Sequence, residues 1–232
     1  MGFRGVLFDS GDTLIRPVGG RWNPRFDFEE IVLRHLPELT VASFPQAFAA
    51  GQKLLDAGPA TPSLAEYHLA ILHALGVHRP PPRLLWELEQ PRTRPLVEPF
   101  PEVPAVLERL RAGGVRMAIV SDNWPGLDGL YRQLDLHAYF QAFVISADLG
   151  CRKPDPRMYR AGSDALGLPP HECLVVDDAP DLVAAAIELG YGGTAIIRTA
   201  DPPTTVPWIG TLEDLVPMTA SRRQRPPPAR LW

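Results

Sequence analysis

Short apolar runs alternate with segments of helical period over much of the chain. Val6-Leu7-Phe8 reads as a buried strand that Asp9 cuts off. From residue 97 onward the alternation is regular. Val103, Val106, Leu107 and Leu110 fall at helical spacing, and Gly113-Gly114 ends that helix. Val115 to Val120 is the clearest strand, and Leu127, Leu130, Tyr131 and Leu134 repeat the helical pattern after it. Phe143 to Ile145, Cys173 to Val176 and Ala195 to Ile197 follow as strands. Between them lie a helix starting near Pro156 and an alanine-rich one through Ala184, Ala185 and Ala186. Continuous apolar runs separated by helices are the signature of a parallel sheet covered on both faces. The expected fold is therefore α/β, a doubly wound parallel sheet with a small helical cap domain.

The cap follows from residues 17 to 95, where the periodicity is helical, as in Leu64, Tyr67, His68, Ile71, Leu72 and Leu75. The opening strand is thereby separated from the rest of its sheet. An insertion at the carboxyl end of a sheet strand lies over the crevice where such folds bind ligands. The predicted division is an α/β core from residues 1–16 and 97–218, a helical cap over 17–96, and a Pro/Arg-rich tail over 219–232. Proline sharpens these boundaries. The chain carries 27 prolines in 232 residues, about twice the ordinary share of about 5%. They cluster at Pro80-Pro81-Pro82, from Pro91 to Pro101, and at Pro226-Pro227-Pro228, where missing amide donors favour loops and stiff linkers.

Composition narrows the function classes. At 45% hydrophobic and 22% charged residues, the chain matches an ordinary globular domain, and neither wholesale disorder nor membrane spanning fits. Lys and Arg number 23 against 27 Asp and Glu, a net charge of −4. The basic residues are dispersed except for Arg222, Arg223 and Arg225, so a nucleic-acid partner is not expected. Two cysteines, Cys151 and Cys173, make no disulfide framework, and the opening residues lack the long uncharged run of a signal peptide; a cytoplasmic protein, monomer or homodimer, is expected. The six histidines show no helical zinc spacing.

Four polar clusters follow predicted strands: Asp9-Ser10-Gly11-Asp12-Thr13, Ser121-Asp122-Asn123, Lys153-Pro154-Asp155-Pro156 and Asp177-Asp178. In a parallel sheet these ends open onto one edge, so they converge on one ligand. A carboxylate nucleophile, a hydroxyl, an ammonium and a carboxylate pair suit phosphoryl transfer through an aspartyl phosphate, in which Asp9 attacks phosphorus. An anionic nucleophile approaching an anionic phosphate needs compensating charge. Mg²⁺ held by Asp9 and Asp178, the charge of Lys153 and hydrogen bonds from Ser121 supply it. Asp122 and Asn123 extend the expected substrate contacts, and Trp22 and Trp124 are read as packing or substrate residues.

These motifs resemble those of the haloacid dehalogenase superfamily, in its phosphatase-like subgroup with a helical cap after the first motif. The resemblance runs from residue 3 to about 217. It rests on Leu7-Phe8-Asp9 with Thr13-Leu14, Ile119-Val120-Ser121, Arg152-Lys153-Pro154-Asp155-Pro156, and Val176-Asp177-Asp178 with Ala185, Ala186 and Leu189-Gly190. It implies a Mg²⁺-dependent phosphatase of a small phosphorylated metabolite. In that reading Asp9 is the nucleophile, Ser121 and Lys153 bind phosphate, and Asp178 is a metal ligand together with Asp9 and the backbone carbonyl of Gly11.

Two positions depart from the family pattern. The acid/base aspartate expected two residues after the nucleophile is Gly11, and Asp12 follows it; Asp12 is either a solvated loop residue or the replacement acid/base. Losing such a group costs about 10² to 10⁴ in rate. In the last motif Leu182 stands where a second acid often sits, leaving Asp177 or Asp181 to assist. The alternative function is a slow or inactive phosphate-binding regulatory protein. A response-regulator receiver is excluded by motif order, because there the acidic pair comes first, and no P-loop motif occurs.

Overall fold

The computed structural model describes residues 2–18, 25, 27–90, 97–198 and 205–219. Trp22 and the arginine-rich tail from Arg222 to Arg230 lie outside the described residues. Among the described residues eight strands are present: β1 (Gly5–Phe8), β2 (Ile15–Pro17), β3 (Val97–Pro99), β4 (Arg116–Ser121), β5 (Ala142–Ile145), β6 (Cys173–Asp177), β7 (Gly192–Ile196) and β8 (Trp208–Ile209). Six form one sheet in the order β5-β4-β1-β6-β7-β8, and every pairing in it is parallel. The expected doubly wound α/β fold is the observed one.

Period-two alternation sends neighbouring residues to opposite faces of this sheet. Val6, Phe8, Met117, Ile119, Leu174 and Val176 join one apolar cluster. Leu7, Ala118, Val120, Cys173 and Val175 join another on the opposite face. All four residues of β1 are buried, as a central strand covered on both sides requires.

Ten helices accompany the strands among the described residues: α1 (Phe28–His35), α2 (Phe44–Ala57), α3 (Leu64–Ala74), α4 (Pro82–Glu89), α5 (Val103–Ala112), α6 (Leu127–Gln133), α7 (Ser146–Leu149), α8 (Pro156–Leu166), α9 (Pro180–Glu188) and α10 (Leu215–Thr219). Local signals explain several ends. Ser63 and Glu66 form a reciprocal capping box on α3. Asp155 caps α8 by accepting from the Arg157 amide, Pro156 takes its first position, and Gly167 ends it in the left-handed region. Helix α8 lies so close to the sheet that a Cβ on Gly162 would stand 2.7 Å from Val120 Cγ2.

Helices α1 to α4 have a core of their own, built on Phe28, Ile31, Phe44, Tyr67, Ile71 and Leu84. Trp124, from the loop after β4, packs against it. The chain leaves and returns to the sheet through β2 and β3, which pair antiparallel with Ile15 opposite Pro99 and Pro17 opposite Val97. This ribbon was not expected from the sequence, and neither was the two-residue β8. The segment joining residues 55–62 meets the sheet's edge at three points. Trp124 Nε1 donates to the Pro62 carbonyl at 2.8 Å, the hydroxyls of Thr61 and Ser146 hydrogen-bond, and Arg152 donates to the Leu55 carbonyl. No described helix is long and apolar enough to cross a membrane.

Candidate active site

Strand β1 lies between β4 and β6, with Phe8 opposite both Ile119 and Val176. The next residue along each strand therefore reaches one edge of the sheet together. Asp9 leaves β1 there with its amide bonded to the Val176 carbonyl at 2.8 Å. Ser121 and Asp177 end β4 and β6 on either side. Lys153, from the loop before α8, reaches in and donates to Asp9 Oδ1 at 2.7 Å and Asp177 Oδ2 at 2.6 Å. The ammonium-bearing side chain is 2% exposed, Asp177 2% and Asp9 11%.

Three carboxylates, from Asp9, Asp177 and Asp178, each place an oxygen within 4.8 Å of the others. Asp178 occupies the exposed rim of this group. Burial pushes Asp9 up to about 7 against the pull of Lys153, with Asp177 and Asp178 adding to the rise. Lost hydration, then the charges of Asp177 and Asp12, push Asp178 up to about 6. Burial draws the Lys153 ammonium down, but Asp9 and Asp177 outweigh it and hold the group above its ordinary value. The ammonium pairs with two of the three carboxyl groups, those of Asp9 and Asp177. Closely spaced hard oxygen donors with surplus negative charge fit a divalent cation such as Mg²⁺.

The structure brings together Asp9, Lys153, Asp178 and, through its charge on Asp178, Asp12. Asp12 has φ 51°, a left-handed conformation, in the turn that follows Asp9. Asp177, expected from the sequence only as one of two acids that could assist, accepts from the Ala179 amide at 2.9 Å and is also the second buried partner of Lys153. Asp181 is exposed at the start of α9 and outside the carboxylate group. The Gly11 carbonyl accepts from the Thr13 amide within the turn.

Ser121 is buried at the end of β4, and its hydroxyl bonds no described residue. Asp122 and Asn123 hold the scaffold. Asp122 Oδ1 accepts from the Lys153 amide at 3.0 Å, and burial raises its pKa. Asn123 Oδ1 accepts from the Trp124 amide at 2.8 Å. Cys151 is a buried thiol whose pKa burial raises, so it stays protonated.

Sequence inspection passed over two contributors. Ser10 and Tyr131 share a buried hydrogen bond of 2.9 Å directly behind Asp9. Arg198, just beyond β7, donates to the carbonyls of Asp12 and Thr13. Ser10 lies within the first polar cluster, but no motif marks its bond to Tyr131 or the role of Arg198, because these contacts join distant segments.

Comparison with known proteins places this geometry. Residues 3–190 match the family model of haloacid dehalogenase-like hydrolases. The chain is 33% identical over 106 residues to (S)-2-haloacid dehalogenase 4A of Burkholderia cepacia, covering 45% of this chain and 46% of that one. It is 34% identical over 105 residues to hexitol phosphatase A of Escherichia coli, covering 45% and 48%. The matched stretch thus spans about half the length of these curated relatives. The crystal structure of the L-2-haloacid dehalogenase RSc1362 superimposes with a TM-score of 0.63 at 20% identity, over 94% of this chain and 99% of that one, a likeness of fold. The chain belongs to the haloacid dehalogenase-like hydrolases.

Proposed function

We propose that the protein is a Mg²⁺-dependent phosphatase acting on a small phosphorylated metabolite. The observation that carries this reading is the group of three close carboxyls at the sheet edge, Asp9, Asp177 and Asp178, of which the Lys153 ammonium pairs with only Asp9 and Asp177. Asp9, Asp178 and the Gly11 carbonyl would hold the metal. When bound, Mg²⁺ supplies positive charge that relieves repulsion between Asp9 and the phosphate and polarises the phosphoryl oxygens.

In this reading an Asp9 carboxylate oxygen attacks phosphorus as the bond to the leaving oxygen breaks, giving an aspartyl phosphate. Lys153 orients Asp9 and neutralises a phosphoryl oxygen, and Ser121 donates its free hydroxyl to another. Asp12 delivers the proton that the leaving alkoxide takes. As a carboxylate it then accepts one from the water that attacks phosphorus, releasing inorganic phosphate and restoring Asp9. Asp12→Asn is expected to lower kcat by about 10² to 10⁴ with little change in Mg²⁺ affinity. An unchanged kcat would remove Asp12 from the mechanism. The glycine at position 11 favours a second reading, a phosphate-binding protein that turns over slowly or not at all. For that protein, Asp12→Asn alters nothing beyond local charge.

Metal binding has its own signature. Asp9 near 7 and Asp178 near 6 must both lose protons to bind Mg²⁺, so binding releases protons and strengthens with rising pH. Calorimetric titration should give an affinity at least about tenfold weaker at pH 6 than at pH 8, since about one Asp9 in ten is ionised at the lower pH. A pH-independent affinity would contradict this donor set.

A further inference from the structure

The turn after Asp9 is tied down from a direction the family's motifs do not include. Arg198 lies beyond the stretch 3–190 that matches the family. Its Nη2 donates to the Thr13 carbonyl at 3.0 Å and its Nε to the Asp12 carbonyl at 3.3 Å. Its Nη1 donates to Glu102 Oε1 at 2.7 Å, and the guanidinium carbon lies 3.5 Å from the centre of the Phe100 ring. One planar cation therefore joins the segment leaving β1 to the segment that follows β3. The Phe100 amide, which donates to the Leu14 carbonyl at 3.0 Å, closes the same junction.

The turn needs such a hold. Asp12 sits at φ 51°, a conformation that is costly for a residue with a Cβ and persists only where the surroundings impose it. Thr13 is fully buried, yet its hydroxyl has no hydrogen-bond partner, so it anchors nothing by that group. Arg198 holds the outward carbonyls of both residues. A lysine in its place keeps the charge but cannot span two carbonyls and a carboxylate while lying flat on an aromatic ring.

We propose that Arg198 is a positioning residue for the Gly11–Thr13 turn, fixing the backbone path that sets metal affinity and turnover at Asp9. The turnover and metal parts rest on the phosphatase reading above. The hold on the turn does not.

The test compares Arg198→Ala and Arg198→Lys with the parent in three measurements. Hydrogen exchange should rise at the Asp12, Leu14 and Ile15 amides in Arg198→Ala while the amides of β6 stay protected. Calorimetry should show Mg²⁺ binding weakened about tenfold. Hydrolysis of an aryl phosphate should lose about ten- to a hundredfold in kcat, with KM changed less than about threefold, because a small displacement at the reacting centre costs rate more than binding. Arg198→Lys should melt close to the parent yet recover only part of kcat, a split that a merely structural role does not produce. If Arg198→Ala does not fold, Arg198→Lys carries all three measurements. Parent-like exchange at the turn overturns the proposal, as does unchanged Mg²⁺ affinity and kcat in a folded variant. If the parent itself neither binds Mg²⁺ nor hydrolyses phosphate, the phosphatase reading fails, and the exchange measurement alone decides whether Arg198 holds the turn.

Discussion

Lys153→Met is expected to abolish measurable turnover and to cost the fold about 3–5 kcal/mol near neutral pH, the range for breaking a buried ion pair from one side. The ammonium is enclosed between Asp9 at 2.7 Å and Asp177 at 2.6 Å. Methionine fills similar volume but leaves two buried carboxyl groups facing each other across an apolar side chain. For a chain of this size about 2–4 °C accompanies each kcal/mol, so the melting midpoint should fall by roughly 6–20 °C. The sign of the pH dependence follows from Asp9. Its folded pKa, already near 7, lies above the ordinary value and rises further without the ammonium. Its protonated form is thus the one the fold accommodates, and stability is retained at low pH and lost as pH rises through that value. The deficit should be largest above pH 7 and shrink toward pH 5. A variant that melts with the parent at pH 8 would show that the pair contributes nothing.

Asp9→Asn is expected to leave no turnover above background, because the amide keeps the shape but offers no anionic nucleophile. It should also stabilise the metal-free protein. Burial and the neighbouring Asp177 and Asp178 disfavour the charged form of Asp9 more than Lys153 favours it. Between its ordinary value near 4 and about 7, Asp9 is protonated in the fold but ionised in the unfolded chain, so the parent loses stability as pH rises and the variant does not. Thermal melts in chelator should therefore diverge in the variant's favour between about pH 4 and pH 7 and stay apart above it, and added Mg²⁺ should raise the parent's midpoint more than the variant's. Equal midpoints across that range would mean that Asp9 carries no strain of charge.

Residues that work within one strand or at its end were legible in the sequence. The runs at Val6 to Phe8, Val115 to Val120 and Cys173 to Val176 mark three adjacent strands, and a parallel sheet delivers whatever follows them to one edge. That is why position alone places Asp9, Ser121 and Asp178 at one sheet edge. The ribbon of β2 and β3 escaped because each strand has three residues and carries a proline at one end. Its stability comes from pairing segments about eighty residues apart, which leaves no local period. The double role of Asp177 was hidden for a similar reason, since only the register of β6 beside β1 sets Lys153 between the two acids.

Asp12 illustrates the limit of pattern rules. Adjacent side chains point oppositely along extended backbone, a rule that by itself argues against Asp12 taking the place of an acid at position 11. At φ 51° the backbone is not extended there, and the charge of Asp12 bears on Asp178. Arg198 was invisible for the reason that makes it informative, because its partners come from two segments far from it in the sequence, residues 12–13 and 100–102.

The central claim is that Asp9 is a metal-assisted nucleophile toward phosphorus. Hydrolysis of an aryl phosphate by the purified protein, with Mg²⁺ and with chelator, tests it most directly when Asp9→Asn serves as the blank. A rate that requires Mg²⁺ and vanishes in the variant is the predicted result. A rate that survives in Asp9→Asn, or that chelator leaves untouched, would contradict the account.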